Sequence, residues 1–304
     1  MHLFENWSTV MKYILITVTL IVIFITPKFA LGSKMVILSF DDSTLGHYTM
    51  ARPILDKYGF KGTFFTVCNF IGRPEHMNWT QINTLQKEGH DVESHSMNHT
   101  HLSKLSDVEL QYEIGQSKKC LSNHGINSTV FAYPFADGSD KQNIVNMVSK
   151  YYTLARAGDD PIQSLKSVNR YSIHALTQSG HKDSDKFKRF VENVNNANTT
   201  TFASFKFHTF VNSTNSKGKI STSAQLFEQE MKYLHDNGFK VIRMRDLGFS
   251  TVNDVLYVKT DHNDVSINLH RMKTSIKNKI NGIISAVPRP TPKVIPSPGP
   301  QSAA

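Results

Sequence analysis

Short apolar runs alternate with amphipathic segments along the middle of the chain. The run MVILSF at 35–40 predicts a buried strand, and residues 45–58 carry apolar side chains at helical spacing before Gly59. The same alternation predicts further strands at 62–67, 92–96, 129–135, 152–157, 168–174, 202–210 and 239–244, and further helices at 80–87, 106–125, 140–150, 184–196 and 222–236. Repeated strand–helix units with mostly apolar strands indicate a parallel sheet covered by helices. Seven or eight such units favour an α/β barrel, which is the fold class that we predict.

Two terminal segments differ from this alternating core. Residues 14–26 are apolar and uncharged, which is shorter than the ~20 residues of a membrane span and typical of a signal-peptide core. We therefore predict that residues 1–32 are a signal peptide, with an uncleaved membrane anchor as the alternative. Residues 287–300 alternate proline with small or basic residues, so 251–304 is predicted to be a basic, Pro-rich tail behind a folded domain at 33–250. A secreted or cell-surface location follows from the first segment.

The charge of the chain is positive but is not concentrated in one patch. The 304 residues include 34 Lys or Arg against 25 Asp or Glu, a formal net charge of +9. Because no basic cluster stands out in the core, we predict no nucleic-acid partner. The basic tail could associate with an anionic cell-surface polymer, or it could be solvated without a partner. Only two cysteines occur, Cys68 and Cys120. They could form one extracellular disulfide or remain two buried thiols, and their spacing excludes a Cys-based zinc site.

Polar side chains follow the predicted strands at the ends where barrel enzymes carry their chemistry. Asp41 and Asp42 follow the first strand, His95 and His99 follow the third, and His208 ends a late strand. One carboxylate and two imidazoles from neighbouring strand ends can hold a divalent metal and leave positions open for water and substrate. A second, free carboxylate beside them can accept a proton, and a histidine on the opposite side can donate one. The pattern therefore predicts a metal-assisted hydrolase.

The order of four short motifs resembles the polysaccharide deacetylase family, which is carbohydrate esterase family four. The motifs are Phe-Asp-Asp at 40–42, His-Ser-Met-Asn-His at 95–99, Tyr-Pro-Phe at 133–135 and Phe-Lys-Phe-His at 205–208. The similarity extends over roughly 35–247. It implies a distorted (β/α) barrel of seven or eight units and an enzyme that removes acetyl groups from sugars.

The resemblance also implies a role for each motif residue. Asp42, His95 and His99 would be the metal ligands, for zinc above all, with cobalt or nickel as alternatives. Asp41 would be the general base and His208 the general acid.

Further implied contacts surround this set. Ser96 would steady the histidine motif, the Tyr133 main chain would help to bind the oxyanion, and Pro134 would shape the groove wall.

Two features depart from the family pattern. Ala132 stands where many members carry an Arg that orients the catalytic Asp. Arg156 or Arg170, each near a later strand, could fill that space. The chain has no clear Asp-x-x-x-Trp motif, which in many members supports the acid histidine. This absence affects the expected rate and leaves the predicted metal site untouched.

Several functions remain open on the sequence alone. The leading one is an exported hydrolase that removes N-acetyl or O-acetyl groups from a surface or extracellular polysaccharide or oligosaccharide. The same barrel could hydrolyse a non-sugar amide, or the chain could be a catalytically weak glycan-binding module that keeps the metal. An iron-oxygenase triad is disfavoured, because Asp42 precedes both histidines by over fifty residues. His47, His174 and His181 belong to no motif and are predicted to take no part.

Overall fold

The computed structural model describes residues 34–159, 162–180, 184–195, 201–212 and 220–259. The predicted signal peptide or anchor at 1–32, His181 and most of the predicted tail therefore lie outside the described residues. Fourteen strands are described: β1 Met35–Phe40, β2 Thr63–Thr66, β3 Asp91–Ser94, β4 Val130–Ala132, β5 Leu154–Ala157, β6 Ile162–Ser164, β7 Ile173–His174, β8 Leu176–Thr177, β9 Thr201–Phe207, β10 Thr209–Val211, β11 Ser221–Ser223, β12 Lys240–Ile242, β13 Leu247–Ser250 and β14 Val255–Val258.

The helices connect these strands, and some of them begin at side-chain caps that the sequence supplies. The described α-helices are α1 Arg52–Lys57, α2 Trp79–Lys87, α3 Asp107–Leu110, α4 Ser117–Asn123, α5 Gln142–Ser149, α6 Asp185–Asn195 and α7 Ala224–Asp236. A π-helical turn, His47–Ala51, precedes α1, and another, Gln111–Gln116, joins α3 to α4. Asn78 and Ser106 each form a capping box with the residue three positions on, which satisfies free N–H groups at the starts of α2 and α3. None of the helices in the described part of the chain has the length and apolarity of a membrane span.

The sheet is centred on β1 and nearly closes on itself. The strand order is β6-β9-β1-β2-β3-β4-β5-β7, and every pair except the antiparallel β6–β9 is parallel. On its other edge β1 pairs first with β12 and then with β2. The strand β8 begins two residues after β7 ends and pairs with β9, so the chain bridges the two sides of the sheet. The predicted distorted α/β barrel is confirmed.

The late strands differ from the prediction. The expected strand at 168–174 is only the two-residue β7, because Val168 and Tyr171 are held in turns by Ser164 and by the side chain of Asn169. The expected strand at 202–210 is interrupted at His208 between β9 and β10. An antiparallel hairpin, β13–β14, was not predicted, and its second strand lies beyond residue 250, the predicted end of the folded domain.

Alternation along the strands separates an inner from an outer core. Met35 and Ile37 pack in a cluster built from nearly every strand of the barrel, which also contains Leu154 and Phe202. Their neighbours in β1 belong to a second cluster that includes the apolar faces of the helices. Side chains along a strand alternate between the two faces with a period of two. A residue that continues this alternation just past the carboxyl end of a strand therefore also points into the barrel. In β1 the next inward position beyond the strand is Asp41.

Candidate active site

The first strand places two adjacent carboxylates at one cavity. The N–H of Asp41 donates to the Phe207 carbonyl at 2.8 Å and so continues the sheet. Asp42 then leaves extended conformation with φ of 73°. Successive side chains of an extended strand would point to opposite faces. The turn at Asp42 instead leaves a carboxylate oxygen of each aspartate within 4 Å of His95 Nε2, at 3.9 Å for Asp41 and 3.6 Å for Asp42.

The loop after β3 presents both predicted metal-binding histidines. Ser96 and His99 have φ of 68° and 59°, a region that non-glycine residues occupy only at an energetic cost. The Ser96 hydroxyl accepts a hydrogen bond from the His99 N–H at 2.9 Å and so closes the turn. Ser96 thus lies where the sequence placed it, within the histidine turn.

A buried glutamate that the sequence did not single out holds the same loop. Glu113 Oε2 accepts hydrogen bonds from the N–H groups of Met97 at 3.1 Å and Asn98 at 2.9 Å, and Oε1 accepts from the Asn98 side chain at 2.6 Å. The Asn98 side chain in turn accepts from Asn69, in the loop after β2, at 2.6 Å. Glu113 lies in the π-helical turn between α3 and α4, where local sequence gives no sign of a distant partner.

Asp42, His95 and His99 converge as a candidate metal centre. Asp42 Oδ1 lies 3.2 Å from His99 Nε2 and 3.6 Å from His95 Nε2. One ligand atom from each of the three residues lies within 4.8 Å of the others. His95 Nδ1 is 2.9 Å from the Ala132 carbonyl, which can only accept, so Nδ1 carries the proton and Nε2 offers its lone pair to the cluster.

The electrostatics of these three residues fit a cation. Burial lowers the pKa of His95 to about 3 and also lowers the pKa of His99, so both imidazoles are neutral and able to ligate. Burial and the neighbouring Asp41 raise the pKa of Asp42 to about 6. Asp42 Oδ1 is buried and has no hydrogen-bond partner. An unsatisfied buried carboxylate oxygen beside two neutral imidazoles is the donor set that zinc and similar ions use.

Arg156 reaches the predicted base from a neighbouring strand. Its Nη2 donates to Asp41 Oδ2, and both side chains are buried. Arg156 is the cross-strand partner of Ala132, so the guanidinium comes from β5 and not from the position where the family pattern has it. Burial alone would raise the pKa of Asp41, but Arg156 and the nearby histidines outweigh it and hold the pKa well below its usual range. Arg170 was the alternative candidate for orienting Asp41, but its guanidinium packs over the rings of Tyr171 and Phe249.

His208 lies close to Asp41, and two donors hold its backbone carbonyl. His208 Nε2 is 3.8 Å from Asp41 Oδ2. The His208 carbonyl accepts hydrogen bonds from Thr44 Oγ1 at 3.0 Å and from His47 Nε2. His47 belongs to no sequence motif, and the structure shows it as a fully buried ring that supports the His208 backbone from the π-helical turn before α1. Burial lowers the pKa of His47 to about 3 and keeps it neutral.

The turn after β4 corrects two sequence predictions. The N–H of Tyr133 donates to the Arg156 carbonyl at 3.0 Å, so it is engaged in the sheet and is not free to bind an oxyanion. Pro134 is buried, and Tyr133, Phe135 and Ala136 line the cavity here rather than the proline. Phe135 adopts a φ of 58°, and its ring packs against His99 with centroids 4.4 Å apart. No acceptor among the described residues takes its backbone N–H.

Two cavities meet at the candidate metal centre. One, of about 290 Å³, contains the three candidate ligands, Asp41, Arg156 and His208, together with a buried lysine, Lys206, that the sequence did not single out. The other, of about 460 Å³, shares Asp42 and His99 with it and extends towards the loop at 70–76. Asp42 and His99 therefore lie where the two cavities adjoin.

A second group of acidic and histidine side chains does not have the same character. Asp56, Glu88 and His90 also lie close together. However, Lys61 binds Asp56 at 2.6 Å, and Arg52 forms two hydrogen bonds with Glu88. These cations already neutralise the carboxylates, so the group is a surface ion-pair network.

Comparison with known proteins shows which family the sequence around this site is similar to. Residues 29–152 match the family described as polysaccharide deacetylase. YxkH of Bacillus subtilis, provisionally named a polysaccharide deacetylase, is 26% identical over 164 residues, which are 54% of this chain and 58% of that protein. A peptidoglycan-N-acetylglucosamine deacetylase of Bacillus cereus is 29% identical over 97 residues, which are 32% of this chain and 44% of that protein. The chain thus spans less than two thirds of the length of either relative.

A solved structure was also found. The deacetylase PplD of Streptococcus pyogenes, in complex with acetate, is 24% identical and matches with a TM-score of 0.44, covering 46% of this chain and 62% of that one. The segment matched by the family carries both aspartates and both histidines of the cavity, whereas Arg156 and His208 follow it. Through this segment, the chain is similar to the polysaccharide deacetylase family.

Proposed function

We propose that the protein is a metal-dependent hydrolase that removes acetyl groups from an N-acetylated or O-acetylated glycan. The observation that carries the proposal is the convergence of Asp42, His95 and His99 beside a second carboxylate that Arg156 keeps ionised. Similarity to the polysaccharide deacetylase family supports a glycan substrate, since one relative is named for peptidoglycan N-acetylglucosamine.

Asp42, His95 and His99 would hold the metal. One carboxylate oxygen and two neutral imidazole nitrogens suit zinc best, with cobalt or nickel as alternatives. A bound divalent cation supplies positive charge that polarises the acyl carbonyl and lowers the pKa of a nearby water.

Asp41 would accept the proton of the attacking water. Its Oδ2 is bonded to Arg156, whereas its Oδ1 is buried and has no hydrogen-bond partner. The Oδ1 atom is therefore the one available to hold a proton. Arg156 both orients the carboxylate and ensures that it is ionised before the reaction starts.

His208 and Phe135 would act on the developing charges. His208 lies beside Asp41 in the same cavity and would donate a proton to the departing amine or alcohol. His47 and Thr44 hold the His208 backbone in place. The unengaged N–H of Phe135, beside His99, would donate a hydrogen bond to the oxyanion.

The test is acetate release by the purified full chain from N-acetylated chito-oligomers, peptidoglycan fragments and O-acetylated xylan. We expect a chelator to abolish release and zinc to restore it. Asp41→Asn should lower kcat by about 10²- to 10⁴-fold while metal content, measured by elemental analysis, stays at the wild-type level. His99→Gln should lose the metal. A metal-loaded wild type that releases no acetate from any of these glycans would rule the proposal out, and equal near-zero rates of wild type and Asp41→Asn would indicate a binding module.

Export is part of the same proposal. The structure pairs Cys68 with Cys120 in a disulfide, and disulfides persist mainly in oxidising compartments. This bond supports a secreted or cell-surface location, with attachment through residues 1–32 or the basic tail. N-terminal sequencing of the protein recovered from culture medium and from membranes would show whether the segment at 1–32 is cleaved.

A further inference from the structure

Lys206 is a buried cation at the proposed reaction centre. In β9 the neighbouring Phe205 and Phe207 pack in the outer core beneath the helices. The alternation of the strand therefore sends Lys206 to the inner face, where it lines the same cavity as Arg156. Only 8% of its side chain is exposed. Burying an ammonium is unfavourable unless it is paired, so its partners decide what it does there.

The ammonium of Lys206 is only partly engaged. Its Nζ donates to Asp159 Oδ1 at 2.7 Å and weakly to the Gly158 carbonyl at 3.4 Å. An ammonium has three donor hydrogens, and no acceptor among the described residues takes the third. The Asp159 side chain is 69% exposed, so water competes with Lys206 for its carboxylate.

Lys206 differs from the other buried cation of the cavity in what it binds. Arg156 Nη2 donates to Asp41, the proposed base, whereas the Lys206 ammonium donates to none of the proposed catalytic residues. Arg156, His95 and His208 each affect the pKa of Asp41 more strongly than Lys206 does, so Lys206 is not needed to keep that carboxylate ionised. A methionine or leucine would fill the same inner position without the penalty of a buried charge.

We propose that Lys206 binds a carboxylate on the sugar unit that carries the acetyl group, so that the preferred substrate is an acidic amino sugar rather than a neutral N-acetylhexosamine. The inference rests on the proposed function and narrows its substrate class. The carboxylate would displace Asp159, whose exposed position lets it swing into solvent. A 3-O-lactyl group and a uronic acid offer the same charge, and the substrates of the test distinguish them.

The experiment compares matched substrates with the full-length, metal-loaded protein. The acidic substrates are oligomers of N-acetylmuramic acid and of an N-acetylated amino-uronic acid, and each is paired with its neutral methyl ester. We expect wild type to prefer at least one acid over its ester. Lys206→Gln should lower kcat/KM for that acid about 10- to 100-fold, mainly through KM, and change the ester rate less than about threefold. Lys206→Arg should keep the preference, and the exposed Lys57→Gln should behave as wild type.

A binding measurement keeps the inference separate from the proposed activity. Calorimetric titration of the Asp41→Asn variant with each acid should show binding that Lys206→Gln weakens to the level of the ester. Failure of wild type to release acetate from any substrate would remove the proposed function, while calorimetry would still decide the carboxylate site. Equal losses on acid and ester, or binding of the acid that does not depend on Lys206, would overturn the inference.

Discussion

One guanidinium determines the charge of the proposed base. Ala132 removes the arginine that the family pattern places on β4, and Arg156 supplies it from the paired position on β5. The Arg156 guanidinium also lies over the Phe65 ring, 5.0 Å from its centroid, which fixes its plane inside the barrel. The same interaction thus comes from a different strand.

Replacing Arg156 should therefore change how activity depends on pH. In Arg156→Met, burial would no longer be opposed by the guanidinium, so the pKa of Asp41 should rise. Because Asp41 must be ionised to accept a proton, the acidic limb of kcat/KM should move to higher pH. The lost hydrogen bond that orients Asp41 should also lower activity at pH 7 by about 10-fold or more. A pH–rate profile measures this. Arg170→Met, which removes a guanidinium outside the cavity, is the control, and an unmoved acidic limb in Arg156→Met would contradict the assignment.

At the residue scale, the sequence predicted the site residues that lie at strand ends. It did not predict the residues whose role depends on a partner distant along the chain. Asp42, His95 and His99 were predictable because parallel strands end at one edge of a barrel. Glu113, His47 and Lys206 were not, since each lies in an ordinary helical or strand pattern and only its distant partner reveals its use. Tyr133 was misread because the sheet engages its N–H.

At the scale of elements, the histidine loop depends on the turn between α3 and α4. Glu113 accepts hydrogen bonds from two backbone N–H groups of this loop. In the same loop, Ser96 and His99 have left-handed backbone conformations. Glu113→Ala should leave these donors unpaired and loosen His99, which should weaken metal affinity about 10- to 100-fold. Competition with a chromophoric chelator measures the affinity.

Glu109→Ala is the matched control for this prediction. Glu109 is exposed in the neighbouring helix, where it caps the first turn with Ser106. The variant should weaken the helix start and leave the metal affinity unchanged. Equal affinities for zinc in wild type and Glu113→Ala would show that the loop keeps its shape without the glutamate.

The stability of the whole molecule should depend on acid through His47. A histidine in the unfolded chain has a pKa near 6.5, whereas burial lowers the pKa of His47 in the folded protein to about 3. Between these values the unfolded state binds more protons, so stability decreases as the pH falls. From pH 7 to pH 5 this group should cost about 2 kcal/mol of unfolding free energy. Urea unfolding measures the free energy of unfolding at both pH values. Its decrease from pH 7 to pH 5 should be smaller in His47→Gln than in wild type by that amount. Equal decreases in the two proteins would contradict the assignment.

The overall architecture was more predictable than its closure. A repeated pattern of buried strands and amphipathic helices predicts a parallel sheet covered by helices, and the seven or eight units favour a barrel over an open sheet. The antiparallel β6 and the hairpin β13–β14 were not predictable from that repeat, because their pairing is antiparallel and does not belong to a strand–helix unit. The strands β7 and β8 have two residues each, which is too short for a sequence pattern to predict their pairing.

The Cys68–Cys120 bond has a consequence for how the protein is prepared. The backbone N–H groups of Cys68 and Asn69 donate hydrogen bonds to the carbonyls of Ser96 and Met97. The disulfide-bonded Cys68 is therefore hydrogen-bonded directly to the loop that carries the two histidines. A polypeptide made in a reducing cytoplasm would lack this covalent link to α4, whereas one matured in an oxidising secretory route would have it. Two batches of identical sequence would then differ in how firmly the loop is held, and thiol state would belong beside metal content in any description of a sample.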